Sequence, residues 1–195
     1  MPCLRLAAPI LLALTFAFAA GPALAQRPPP PQLGGPAPLQ PGDAFGEEVT
    51  LPERTIVYLK GRSNWDAAFD TLVDAFKSLN EYLDKQGIKP NGAAMTIYTQ
   101  TDDAGFQFEA AMPIAAAPDN PPKGDIAIGQ APSGKALKFV HRGSYDNMDN
   151  TYEAITNHLD DKKLEAKDTF IEEYMTDPLK TAEDKLVINV YVPLK

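Results

Sequence analysis

Two stretches of this chain carry nearly the same apolar pattern, and a half that repeats another without enough residues to close its own core folds around a surface shared with its mate. Shifting residues 69–98 by 76 positions brings Phe69 onto Tyr145, Leu72 onto Met148, Phe76 onto Tyr152, Leu79 onto Ile155, Leu83 onto Leu159 and Tyr98 onto Tyr174. Further on the offset becomes 80, so that Phe108, Glu109, Met112, Pro113 and Ile114 meet Ile188, Asn189, Val192, Pro193 and Leu194. A change in loop length between the halves produces such a step.

The repeat sits behind two segments of different character. Arg5, an apolar run over residues 6–20 and the small-x-small trio Ala23-Leu24-Ala25 read as a secretory signal peptide over residues 1–25. The run is short for a membrane-spanning helix and ends at Gly21-Pro22, so no integral membrane segment is expected after cleavage. The only cysteine, Cys3, leaves with that peptide, which suits an oxidising compartment without a disulfide framework and points to a periplasm. Residues 26–46, with Pro28 to Pro31, Gly34, Gly35, Pro36, Pro38 and Pro41, are expected to be a disordered tether. Residues 47–195 then form one domain, with halves at about 47–114 and 126–195.

Each half predicts strand, helix, strand, strand. In the first, residues 55–60 read as a strand, 65–86 as an amphipathic helix closed by Gly87, and 94–100 and 106–114 as strands. In the second, the strand covers 135–142, the helix 146–162, and the closing strands 169–176 and 185–194; a short strand is placed at 126–130. Antiparallel hairpins in both halves give an α+β fold, a curved antiparallel sheet with two main helices on one face.

Acidic residues outnumber basic ones, 26 to 18, with no basic patch interleaved with aromatics, so nucleic acid is not an expected partner. No phosphate loop, nucleophile elbow or cysteine cluster is present, and the two histidines, His141 and His158, have no metal-ligand spacing. No cofactor or metal is expected. His141 is the one candidate for axial ligation of a haem; a hydrogen-bonded strand histidine is the plainer reading.

The residues that attract attention are carboxylates set among aromatics. Period-two alternation puts Glu172 on one sheet face with Phe170 and Tyr174, and Glu173 on the other with Ile171 and Met175. A carboxylate flanked by rings loses hydration, so its pKa rises unless a cation arrives, and the ring faces favour that cation. Glu109 faces away from Phe106 and Phe108 and is the first-half counterpart of Asn189. Trp65, Tyr98, Tyr145, Tyr152 and Tyr174 are candidates for an aromatic cage, although rings at helical spacing often serve the core. Tyr98 and Tyr174 stand out because the repeat puts them at equivalent strand positions. The ligand-binding set expected from these patterns is Glu172, Tyr174, Glu173, Glu109, Tyr98, Tyr145 and Trp65.

Residues 132–137 (Pro-Ser-Gly-Lys-Ala-Leu), 141–146 (His-Arg-Gly-Ser-Tyr-Asp), Tyr152, 172–178 (Glu-Glu-Tyr-Met-Thr-Asp-Pro) and 191–194 (Tyr-Val-Pro-Leu) resemble the gyrase-inhibitor-like (GyrI-like) effector-binding domain, the sensing half of some AraC-type and MerR-type regulators. The resemblance covers about residues 47–195. It implies a duplicated strand-helix-strand-strand fold with a central cleft for hydrophobic, often cationic, small molecules, anchored by the glutamate of a Glu-x-Tyr pattern that Glu172 and Tyr174 match. The chain departs from those regulators in lacking a helix-turn-helix segment. The function expected is an exported domain that sequesters or senses such a ligand. The alternatives are a small-molecule hydrolase using a Glu/Tyr pair in the same cleft, as certain relatives of this family imply, and an interaction module of the cell envelope whose protein partner is unknown.

Overall fold

A computed structural model describes residues 40–195 apart from residue 121. The expected signal peptide and the tether as far as residue 39 lie outside the described residues. The chain forms β1 (Phe45–Leu51), β2 (Thr55–Ser63), α1 (Ala68–Gln86), β3 (Met95–Asp102), β4 (Gly105–Pro113), β5 (Ile126–Gln130), β6 (Gly134–Arg142), α2 (Met148–Lys162), β7 (Phe170–Tyr174) and β8 (Val187–Pro193). The strands make one eight-stranded sheet in the order β1-β6-β8-β7-β3-β4-β2-β5, antiparallel at every junction. Among the described residues no helix is long and apolar enough to cross a membrane.

Both helices begin with a capped 3-10 turn, because the first amides of a helix need an acceptor. Asn64 accepts from the amide of Ala67 at 2.9 Å ahead of α1, and Ser144 accepts from that of Asp146 at 3.3 Å ahead of α2. Gly87 ends α1 at φ 66, where glycine costs nothing; α2 ends on Lys163 at φ 55, which a side chain tolerates only at about 1 kcal/mol. Leu72, Phe76, Leu79 and Leu83 of α1 and Met148 and Ile155 of α2 pack on the sheet face made by Phe106, Phe108, Tyr174, Ile188 and their neighbours. A smaller cluster, with Met95, Ile97, Ile171 and Tyr191, lies on the opposite face.

The register of the strands explains both offsets seen in the sequence. Ile56 pairs with Pro113 as Ala136 pairs with Pro193, and Tyr98 with Phe108 as Tyr174 with Ile188, so β2, β4 and the helix starts correspond at 80 positions and β3 at 76. Helix α2 has 15 residues against 19 in α1, close to one turn less, which keeps the same face inward.

Strand β1 corrects the expected tether: ordered chain already reaches Asp43, whose carboxylate takes two bonds from Arg142 at 2.7 and 2.8 Å, and pairing with β6 starts at Phe45. Its alternation is broken by Glu47-Glu48 and by a register shift between Phe45 and Glu47, so it reads as polar chain until β6 supplies a partner. Strands β1 and β5 are exchanged: each precedes one half and pairs with the first strand of the other.

Candidate functional site

Strand β7 lies at the middle of the sheet, and its Glu172 stands directly across from Thr96 of β3. Those two residues are 76 positions apart, so the pseudo-twofold axis relating the halves passes through this pair. Two residues further along each strand come Tyr98 and Tyr174, on the same face and equally placed about the axis. Tyr98 donates to Glu172 Oε1 at 3.0 Å and Tyr174 to Oε2 at 3.0 Å. Symmetry thus delivers one phenol to each carboxylate oxygen.

The second helix completes the ring. Tyr152 of α2 donates to Oε1 at 2.8 Å, and Tyr145, in the turn before α2, reaches Oε2 at 3.1 Å. The hydroxyls of Tyr98 and Tyr145 also lie 2.5 Å apart. A phenol carries one proton, so Tyr145 is shared between Tyr98 and the carboxylate. Thr96 meets the Tyr174 hydroxyl at 3.4 Å.

Glu172 is fully buried, and no lysine or arginine bonds it among the described residues. Burial raises its pKa above 4.5, while the bonds from Tyr152, Tyr174, Tyr98 and Tyr145 oppose that rise by favouring the anion. Burial, reinforced by the neighbouring carboxylate, pushes all four phenols well above their usual value, so they stay neutral donors.

Above the ring of hydroxyls opens a cleft of about 490 Å³ between the starts of the two helices, walled by Trp65, Phe69, Tyr98, Tyr145, Met148 and Tyr152. Phe69 stacks on Tyr145 with ring centres 5.2 Å apart. Trp65 is 45% exposed and donates its indole N–H to the carbonyl of Asp102 at 2.9 Å. Asp66, Asp70, Asp146, Asp149 and Glu183 stand around the cleft. An adjoining hollow of about 370 Å³ shares Trp65, Tyr98 and Tyr152 and adds Asp102, Asp103 and Phe170. A larger hollow, about 620 Å³, is lined by Arg62, Ser63, Gln100 and Gln107 together with Ala67, Ala104 and Phe106 and has no buried carboxylate among its lining residues.

Of the residues expected from sequence, Glu172, Tyr174, Tyr98 and Tyr145 meet at one point and Trp65 stands on the wall above. Glu173 and Glu109 do not join them, and this corrects the expectation: strand alternation sends both to the opposite face. There Glu173 accepts from Arg54 at 2.7 Å and from the Tyr191 hydroxyl at 2.8 Å, and Glu109 lies 3.6 Å from Lys60. Tyr152 was only one of several cage candidates, yet it makes the shortest bond to Glu172; its signal is the spacing Tyr145, Met148, Tyr152 down one helical face. The acidic rim carries no local sequence signal, because its members are scattered through two helix starts and the turn before β8. His141 is buried on β6 with both nitrogens engaged, Nε2 donating to the Ser144 carbonyl at 3.1 Å and Nδ1 bonding the Thr151 hydroxyl at 2.8 Å. Burial lowers its pKa. Among the described residues no three His, Cys, Asp or Glu side chains are grouped to hold a metal ion.

A fold of this topology with a buried, aromatic-capped carboxylate beneath a cleft defines a class of small-molecule-binding domains. The profile of the GyrI-like small molecule binding domain matches residues 47–195, and the chain belongs to that family. Several solved structures share the fold. EcmrR in its DNA complex has 15% identity and a TM-score of 0.66, over 76% of this chain and 56% of that one, so the match takes in little more than half of EcmrR. SAV2435 bound to tetraphenylphosphonium has 14% identity and a TM-score of 0.55, over 76% and 93%. A hydrolase from Listeria innocua has 11% identity and a TM-score of 0.51, over 76% and 91%. No curated protein sequence matches the chain.

Proposed function

We propose that the domain binds a hydrophobic organic cation in the cleft above Glu172, and that it does so after export, on a proline-rich tether. The observation that carries the ligand class is a fully buried carboxylate held by neutral phenols with no cationic partner among the described residues. An uncompensated buried charge costs several kcal/mol, and a ligand that brings the opposite charge offsets that cost. The tyrosine bonds favour the anion against the rise that burial imposes and aim it, the rings present negative faces, and the acidic rim raises the local concentration of cations. A cleft of about 490 Å³ also suits a drug-sized molecule. The tetraphenylphosphonium held by SAV2435 is a cation of that chemistry. Export rests on residues 5–25 and on the absence of cysteine from residues 26–195.

Hydrolysis is the weaker reading even with a hydrolase among the fold's relatives, since three phenol protons already occupy most of the carboxylate's acceptor sites and a fourth is shared with it. Calorimetric titration of the purified protein with tetraphenylphosphonium is expected to show saturable binding with the cation recovered unchanged. An absence of heat and of thermal stabilisation with tetraphenylphosphonium, ethidium and rhodamine 6G would sink the assignment. Detection of the protein in the cytoplasm with residues 1–25 intact would sink the export step alone.

A further inference from the structure

The correspondence of the halves gives the hollow beside the front cleft a counterpart that the ring around Glu172 does not use. Besides Trp65, whose counterpart Tyr145 lies in the front cleft itself, the adjoining front hollow is lined by Tyr98, Thr101, Asp102, Asp103, Tyr152 and Phe170. Their equivalents at the 76-position offset are Tyr174, Asp177, Pro178, Leu179, Phe76 and Ala94, and all six line one separate cavity of about 280 Å³ on the far side of Glu172. The axis through Thr96 and Glu172 therefore relates two hollows, each walled by one of the symmetric tyrosines.

Their chemistry has diverged. Phe76 presents a bare ring where Tyr152 presents the hydroxyl that bonds Glu172, and Pro178 and Leu179 replace Asp102 and Asp103. The one acid left, Asp177, is spent on Lys180 at 2.7 Å and on the amide of Leu179 at 2.9 Å. The Tyr174 hydroxyl points away to Glu172, so its ring is what faces the cavity, edge-on to Phe76 at 5.2 Å. Met112 and Met175 add two deformable thioethers, and Met175 is 54% exposed. No unpaired side-chain charge greets a ligand here; the lining sets the Phe76 and Tyr174 rings and the two thioethers beside the Asn80 amide and the backbone of Gly92 to Ala94.

We propose that this rear cavity is a second binding site, for a small neutral aromatic molecule, pseudo-symmetric to the hollow that adjoins the cation cleft and independent of the charge on Glu172. Its volume, just under the range usual for drug-sized ligands, limits the occupant to one ring or two fused rings.

The methionines make the test direct. Met112 and Met175 line the rear cavity, Met148 lines the front cleft, and Met95 lies on the other face of the sheet. With all four carrying ¹³C-methyl labels, titration with indole is expected to shift Met112 and Met175 saturably and leave Met148 and Met95 in place. The shifts should persist in Glu172→Gln and vanish in Asn80→Phe, which puts a ring into the mouth from a half-exposed helix position, with Leu179→Trp as a second blocking variant. Shifts confined to Met148, shifts that never saturate, or unchanged indole binding in both blocking variants would overturn the proposal. Tetraphenylphosphonium in the same sample reports on the front cleft through Met148, so failure of one site is told apart from failure of the other.

Discussion

Replacing Glu172 with glutamine removes one charge and almost no volume from the centre of the fold. The phenols stand 2.8 to 3.1 Å from the carboxylate, and the proposed cation would rest on the far side of them. At a separation of about 6 Å and an effective dielectric of roughly 20, the lost attraction is about 3 kcal/mol; solvent at the open mouth trims it to about 1–3 kcal/mol. Tetraphenylphosphonium should then bind the variant roughly 5- to 150-fold more weakly. Tetraphenylborate, of the same shape and opposite charge, is the matched control and should gain affinity in the variant. The variant itself should be no less stable than the parent, because the desolvation cost of the carboxylate leaves with it. Calorimetry with both ions on both proteins, alongside melting curves, reads all three quantities. Equal tetraphenylphosphonium affinity in a folded Glu172→Gln protein, or no gain for tetraphenylborate, would refute the argument that the buried charge is the anchor.

The same carboxyl dictates a pH dependence. Its folded pKa lies above 4.5, so this group's contribution to stability is fully present below about pH 4.5 and is lost as pH rises through the folded value. Tetraphenylphosphonium affinity should climb over that interval, and the melting temperature of Glu172→Gln relative to the parent should rise with it; flat profiles for both would contradict the assignment. Tyr152→Phe deletes the 2.8 Å bond, which supports the anion by about 1–2 kcal/mol, so cation binding should weaken more on the acid side of the Glu172 titration than on its alkaline side. A loss that is uniform across pH would instead indicate that only the ring contact mattered. Arg54→Met strips Glu173 of its 2.7 Å partner and should lower stability to denaturant by about 1–3 kcal/mol, less whatever the partial exposure of Arg54 screens. Tetraphenylphosphonium affinity in that variant should be unchanged; a fall like that of Glu172→Gln would place Glu173 in the site after all.

The sequence by itself determined the two helices, seven of the eight strands and the separation of faces along β4 and β7. Those follow from local rules: the 3.6-residue repeat of Phe69, Leu72, Phe76, Leu79 and Leu83, the turn chemistry at Gly87, and the alternation that separates Glu172 from Glu173. It also singled out Glu172, Tyr98, Tyr145 and Tyr174, because rings beside an acid and repeated strand positions are visible in one dimension. Alternation had already set Glu173 and Glu109 on faces other than those of Tyr174 and Phe108, yet it did not say which face lay under the helices. That was decided when α1 and α2 packed on one side of the sheet. Strand β1 became a strand only by pairing with β6, more than 80 residues away in the chain. The convergence of four tyrosines on one carboxylate depended on β3 and β7 meeting at the axis, and on α2 laying Tyr152 over them. Periodicity assigns a residue to a face. Only the long-range order of strands, set by the exchange of β1 and β5 and by burial of both helices against one surface, assigns it a neighbour.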